Sequence, residues 1–133
     1  MLTVSPYIIL RGKAKPAIMF YKSVFGGELA ITMQSEYNPD PAVADLVMHG
    51  QLTTDTFTLM VSDDPRSGEE LPSGNIQICI WGDDLETARA WFTALSDGAD
   101  VTTPFAPQMW GDHYGDLTDK FGVSWSVNAG TPS

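Results

Sequence analysis

Ala14-Lys-Pro-Ala-Ile-Met-Phe-Tyr-Lys-Ser-Val-Phe25 is followed 71 positions later by Leu85-Glu-Thr-Ala-Arg-Ala-Trp-Phe-Thr-Ala-Leu95. In the first stretch Ala17, Phe20, Tyr21 and Val24 recur at i, i+3, i+4 and i+7, the spacing of a helix with one buried face. Adding 71 sets Ala17 on Ala88, Phe20 on Trp91, Tyr21 on Phe92 and Val24 on Leu95, so the second stretch carries the same stripe. Pro16 suits a first helical turn, where its missing N–H is no loss, and Gly26-Gly27 supplies a C-terminal stop. Asp83-Asp84 offers an N-cap to the second helix, and Asp97-Gly98 ends it.

Outward from the helices the same order of strands repeats. Pro6–Leu10 precedes the first helix, and Glu28–Gln34, Asp45–Thr53 and Thr56–Ser62 follow it. Ile76–Trp81 precedes the second, and strands starting at Asp100, Gly115–Asp119 and Val123–Asn128 follow. The alternation in Thr56–Ser62 puts Phe57, Leu59 and Val61 on a core face and Thr58, Met60 and Ser62 on the other. The same reading sends Ile76, Ile78 and Ile80 to the core and leaves Gln77, Cys79 and Trp81 opposite. In the last strand Val123, Trp125 and Val127 pack, leaving Ser124, Ser126 and Asn128. The intervening segment is rich in proline, glycine and acid, as a long loop would be. The expected architecture is therefore α+β: one domain over 1–133, with module one about 1–63, a loop over 64–75, and module two about 76–133. Neither module alone is large enough to bury its sheet.

The 133 residues are 43% hydrophobic and 18% charged, the balance of a globular chain. A net charge of −10 argues against nucleic acid as a partner, because phosphate binding needs clustered Lys and Arg. No run of apolar residues could span a bilayer, and Met1-Leu-Thr-Val-Ser-Pro6 lacks the basic and apolar regions of a signal peptide. The single cysteine, Cys79, excludes an internal disulfide. The expectation is a cytoplasmic protein with no membrane partner.

Several short segments carry a resemblance. They are Pro6-Tyr7, Ala17-Ile-Met-Phe-Tyr21, Val24-Phe-Gly-Gly-Glu-Leu29, Met48-His49 with Leu52, and Leu59-Met-Val-Ser-Asp63. Trp110-Gly-Asp-His-Tyr-Gly115 and Thr118-Asp-Lys-Phe-Gly-Val-Ser-Trp125 complete them. In order and spacing they resemble PhnB-like proteins of the vicinal oxygen chelate (glyoxalase/bleomycin-resistance) superfamily, sometimes labelled demethylubiquinone methyltransferase-like. The resemblance implies two βαβββ modules with mixed sheets curved around a cavity, helices on the outer faces, and a homodimer. It also implies four slots, on the first and last strand of each module, where metalloenzymes of the superfamily ligate a divalent ion.

Here those slots fall near Pro6, Met60, Gln77 and Ser126. Pro6 has no side-chain donor, Met60 is a soft thioether, Ser126 a neutral hydroxyl, and Gln77 offers one amide oxygen. That set is poor in the imidazole and carboxylate donors a divalent ion requires. No metal and no other cofactor is expected. The leading expectation is a small-molecule binding protein whose cavity is lined by Tyr7, His49, Met60, Gln77, Trp110, His113 and Ser126. Each has a plainer reading as core packing, a hydrogen-bonded surface group or, for Trp110 and His113, part of a structural turn. The alternative is a metal-dependent lyase, isomerase or dioxygenase with an atypical ligand set; an interaction protein is a third. No catalytic residue is assigned. A methyltransferase is disfavoured, since no glycine-rich loop closes a parallel-sheet cofactor site.

Overall fold

The computed structural model describes residues 1–65 and 75–130. Most of the expected loop over 64–75 therefore lies outside the described residues. The chain divides into two compact units, Met1–Pro72 and Ser73–Ser133. The first holds β1 (Tyr7–Leu10), α1 (Ala14–Phe25), β2 (Glu28–Met33), β3 (Val47–Thr53) and β4 (Thr58–Asp63). The second holds β5 (Ile78–Gly82), α2 (Leu85–Leu95), β6 (Asp100–Pro107), β7 (His113–Thr118) and β8 (Ser124–Ala129). Each unit is a βαβββ module with one four-stranded mixed sheet, ordered β1-β4-β3-β2 and β5-β8-β7-β6. In each, the first and last strands pair in parallel and the remaining pairs are antiparallel. No described helix is long and apolar enough to cross a membrane.

Both helices begin and end where the stripe places them. Helix α1 buries Ala14, Ala17, Ile18 and Tyr21, and α2 buries Ala88, Phe92 and Leu95. The sheet positions opposed to them alternate as alternation demands. Leu52, Leu59 and Val61 are buried in module one, and Leu117, Trp125 and Val127 in module two. Burying one such side chain stabilises the fold by roughly 1.5–3 kcal/mol. Gly50 and Gly115 let the helix and its neighbours approach. A Cβ on Gly50 would stand 2.8 Å from Val61 Cγ2, and one on Gly115 2.8 Å from both Phe92 Cε2 and the Phe105 backbone. Gly115 is thus required by packing and not by turn freedom. Gly111, with φ +100°, does supply the turn.

The two helices are started differently. Lys13 gives α1 no side-chain cap. Instead Asp63, buried at the end of β4, accepts hydrogen bonds at Oδ1 from the N–H of Gly12 (2.7 Å) and of Ala14 (3.0 Å). Its Oδ2 accepts from the N–H of Val47 (3.0 Å), where β3 begins. Helix α2 is capped locally: Asp84 accepts from the Thr87 N–H at 3.1 Å and from its hydroxyl at 2.7 Å. These two bonds from Thr87 hold the Asp84 carboxyl below its ordinary value.

One strand is displaced from its expected place. β5 begins at Ile78, so Ile76 is 83% exposed and not in the core, and Gln77 precedes the strand. The reason is that the connector between strand and helix is one residue shorter in module two. Ile8 pairs with Val61 and Ile80 with Val127, while Gly50 and Gly115 oppose the same two valines. Ile8 therefore corresponds to Ile80, an offset of 72, although the helices keep their offset of 71. Burial of the isoleucines against the valines sets the register, and the connector absorbs the difference.

Asp63→Ala strips three backbone donors of their acceptor and is expected to lower stability by about 3 kcal/mol or more. Asp63→Asn keeps one carbonyl acceptor and should cost about 1–2 kcal/mol. Urea midpoints of the three proteins check the order. The depressed Asp84 carboxyl makes a second expectation. Its capping contribution is present above the unfolded value and disappears as pH falls through the lower folded one. Amide exchange at Thr87 should accelerate only in that acid range, and Asp84→Asn should remove the dependence.

Candidate functional site

The chemistry lies on the face of each sheet that its own helix leaves uncovered. In module one, Tyr7, Met60 and Gln51 stand in register across β1, β4 and β3. The Tyr7 hydroxyl lies 2.8 Å from His49 Nδ1, and His49 Nε2 lies 3.2 Å from Gln51 Oε1. An amide oxygen can only accept, so Nε2 is the donor to Gln51, and in the neutral ring Nδ1 is then the acceptor for the phenol. The Gln51 amide nitrogen in turn faces Thr53 Oγ1 at 3.5 Å. Tyr7 is 46% exposed, so this ordered Tyr–His pair is reachable by a ligand.

In module two, Cys79, Ser126 and Asp116 form the corresponding row across β5, β8 and β7. Tyr114 donates to Asp116 Oδ2 at 2.9 Å. Burial raises the Tyr114 phenol above its ordinary value, and the hydrogen bond to Asp116, with negative charge there and at Cys79, raises it further. Asp116 Oδ1 is buried without a hydrogen-bond partner. Asn128 donates its amide to Asp112 Oδ2 at 3.0 Å.

The two rows are copies. Met48-His-Gly-Gln-Leu52 and His113-Tyr-Gly-Asp-Leu117 superimpose at an offset of 65, setting His49 on Tyr114 and Gln51 on Asp116. Tyr7 then corresponds to Cys79, and Met60 to Ser126. The shared x-Gly-x-Leu core was the signal that could have revealed Gln51, Tyr114 and Asp116 from sequence.

Of the residues expected to line a site, Tyr7, His49 and Met60 share the uncovered face of module one, and Ser126 lies on that of module two. Gln77 is exposed before β5 and joins neither row. His113 is the first residue of β7 and not part of a loop. Alternation sends it with Gly115 and Leu117 to the helix-covered side, its ring 5.7 Å from Phe105, which stacks on Phe92 of α2 at 5.5 Å. Trp110 sits in the turn before β7, its ring 6.1 Å from Tyr114.

The donor chemistry can be tested against a metal. The corresponding first- and last-strand positions are Tyr7 with Met60 and Cys79 with Ser126. Among the described residues no three His, Cys, Asp or Glu side chains gather where an ion could sit. A phenol with a thioether in module one, and a single thiol with a hydroxyl in module two, give neither sheet the set of imidazole, thiolate or carboxylate donors that a divalent ion requires.

A family model described as 3-demethylubiquinone-9 3-methyltransferase matches residues 3–128. The chain belongs to this family. Its fold is shared with a PhnB protein and with glyoxalase/bleomycin-resistance proteins. The protein PA1353 from Pseudomonas aeruginosa has a crystal structure with TM-score 0.85 and 34% identity, covering 99% of this chain and 100% of that one. A putative 3-demethylubiquinone-9 3-methyltransferase, PhnB protein, from Bacillus cereus gives TM-score 0.80 at 21% identity, covering 96% and 99%. A glyoxalase/bleomycin resistance protein/dioxygenase family enzyme from Burkholderia phytofirmans gives 0.58 at 15%, covering 94% and 95%. The last two establish likeness of fold alone. The nucleoside methyl donor that the family description suggests does not fit these residues either. Among the described residues parallel pairing is confined to β1–β4 and β5–β8, and neither connector into a helix, Arg11-Gly12-Lys13 or Asp83-Asp84, is glycine-rich.

The raised Tyr114 phenol should be directly visible. In the difference of ultraviolet titrations between the wild type and Tyr114→Phe, the missing phenol should ionise above the ordinary tyrosine value. The same subtraction on an Asp116→Asn background should move the transition back toward that value. No movement would show that burial alone sets it.

Proposed function

We propose that this PhnB-like protein binds a small molecule bearing an N–H donor, without a metal ion, on the uncovered sheet face of module two. The observation that carries this reading is Asp116 Oδ1, buried with no partner. A buried carboxylate oxygen without a donor is costly, and in native proteins such groups are usually satisfied by a ligand, an ion or water. The groups around it suit an organic ligand: Tyr114 fixes the other carboxylate oxygen, and Ser126 and Cys79 share its row. The chain's net charge of −10 favours a basic ligand further. In module one the Tyr7–His49 pair provides a separate polar anchor, a phenol whose proton is already shared with an imidazole.

The working form is a homodimer in this reading. β1 and β5 are edge strands of their sheets, and both carry exposed apolar residues, Ile9 and Trp81. Exposed edges with such residues require cover.

Benzamidine, which presents a planar pair of N–H donors, is a suitable probe. Calorimetric titration should show saturable binding that falls about 10- to 100-fold in Asp116→Asn, the loss of a charge-assisted hydrogen bond. Equal affinity in the two proteins would overturn the assignment. So would stoichiometric retention of Zn, Ni, Mn or Fe(II) after dialysis.

A further inference from the structure

We infer that Tyr7 is a nucleophile, with His49 as its base, and that it takes an acyl group from an activated ester. Only residues of module one take part, and the role goes beyond the polar anchor they provide there. The Tyr7 hydroxyl lies 2.8 Å from His49 Nδ1. The two ring centroids are 5.5 Å apart and tilted by 53°, so the phenol meets the edge of the imidazole. His49 Nε2 donates to Gln51 Oε1 at 3.2 Å, and the Gln51 amide nitrogen faces Thr53 Oγ1 at 3.5 Å, which turns its oxygen toward the ring. A hydroxyl on a base, with the base oriented by a third group, is the arrangement that activates side-chain nucleophiles.

The chemical step needs nothing beyond the ester. The Tyr7 oxygen attacks the acyl carbon while its proton passes to His49 Nδ1. The new O–C bond forms, the bond to the leaving oxygen breaks, and that oxygen departs with the electron pair. His49 then gives its proton to water, leaving acyl-Tyr7. The neutral ring aims its lone pair at the phenol, and the imidazolium that forms stands beside the negative charge that develops on the acyl group. Tyr7 is 46% exposed, so its oxygen is within reach of a substrate. Met60 stands beside it in register, and Ile9, 43% exposed, lies two residues along the same face. These flanks suit a short apolar acyl group. Glu28 is the one carboxylate that the pairing of the described strands puts on this face. It lies opposite Thr53, about 13 Å along β3 from His49, too far to compete with the phenol for the ring.

Neither architecture nor burial calls for this pair. Module two has Cys79, Tyr114 and Asp116 at the corresponding positions, and its phenol donates to a carboxylate. The Tyr7–His49 bond is exposed, so water could satisfy both groups separately. Tyr37 offers an internal comparison. It is 74% exposed, and its hydroxyl makes no hydrogen bond among the described residues.

The probe is p-nitrophenyl acetate at limiting reagent, with the acetylated residues of the full chain read by peptide mass mapping. Exposure alone favours Tyr37 by less than twofold. The expected result is the reverse: Tyr7 is acetylated about 100-fold faster than Tyr37, the lower end of what a positioned general base contributes. His49→Asn keeps a hydrogen-bonding amide beside the phenol but no base, and should bring Tyr7 down to the Tyr37 rate. Gln51→Leu should slow Tyr7 about tenfold by freeing the ring, and Gln51→Glu, which restores an acceptor for Nε2, should recover the rate. Tyr37 reacting as fast as Tyr7 in the unaltered protein would overturn the proposal, with no variant needing to fold. A Tyr7 rate unchanged in His49→Asn would do so as well. No residue of module two enters, so benzamidine binding through Asp116 and acylation of Tyr7 can each fail without the other.

Discussion

A single carboxylate organises module one. Asp63 sits at the last position of β4 and receives three backbone N–H groups, from the β1–α1 connector, the first residue of α1 and the first residue of β3. Those three points are distant in sequence, 51, 49 and 16 residues away. A helix with no side-chain cap of its own would otherwise expose its first donors inside the fold. With Asp63 in place, α1 is fixed over β3 and β4, and the uncovered face bearing Tyr7 and His49 is fixed with it. Module two achieves the same end locally through Asp84. Ala129 stands where Asp63 would be, and it is simply buried.

Much of this was legible in the residues. The helices were given by an apolar stripe that only one periodicity explains, and their boundaries hold to the residue. Strand alternation correctly assigned Leu59 and Val61, and Trp125 and Val127, to the core. The family followed from short segments spread along the chain. What alternation could not supply was where a strand starts. Ile76 continues an Ile-x-Ile-x-Ile pattern that looks like one strand, yet pairing with β8 begins only at Ile78. Pattern reports which face a residue would take if it were paired, not whether a partner reaches it.

The candidate sites were less legible for a related reason. His113 and Tyr114 are adjacent, and both are chemically plausible, but a strand shows only one of them to each face. Which one faces the helix depends on Gly115, whose missing Cβ makes room for Phe92 and Phe105. Asp116 was invisible for another reason: an acidic residue in a strand reads as solvated until its burial is known. Its orphaned oxygen is a property of tertiary structure.

The shortened connector of module two has a consequence for anyone grafting chemistry between the halves. Counting from the helices, the partner of Tyr7 is Ile78, whose neighbour Trp125 is buried. Counting from the sheets, the partner is Cys79, which is exposed. A histidine installed at the first position would have to share the hydrocarbon interior, whereas one at the second would take the exposed place that pairs with Ser126. Transplanting a metal centre into this scaffold therefore requires alignment by pairing partner. Linear spacing is wrong by one residue, and in a strand one residue is the difference between inside and out.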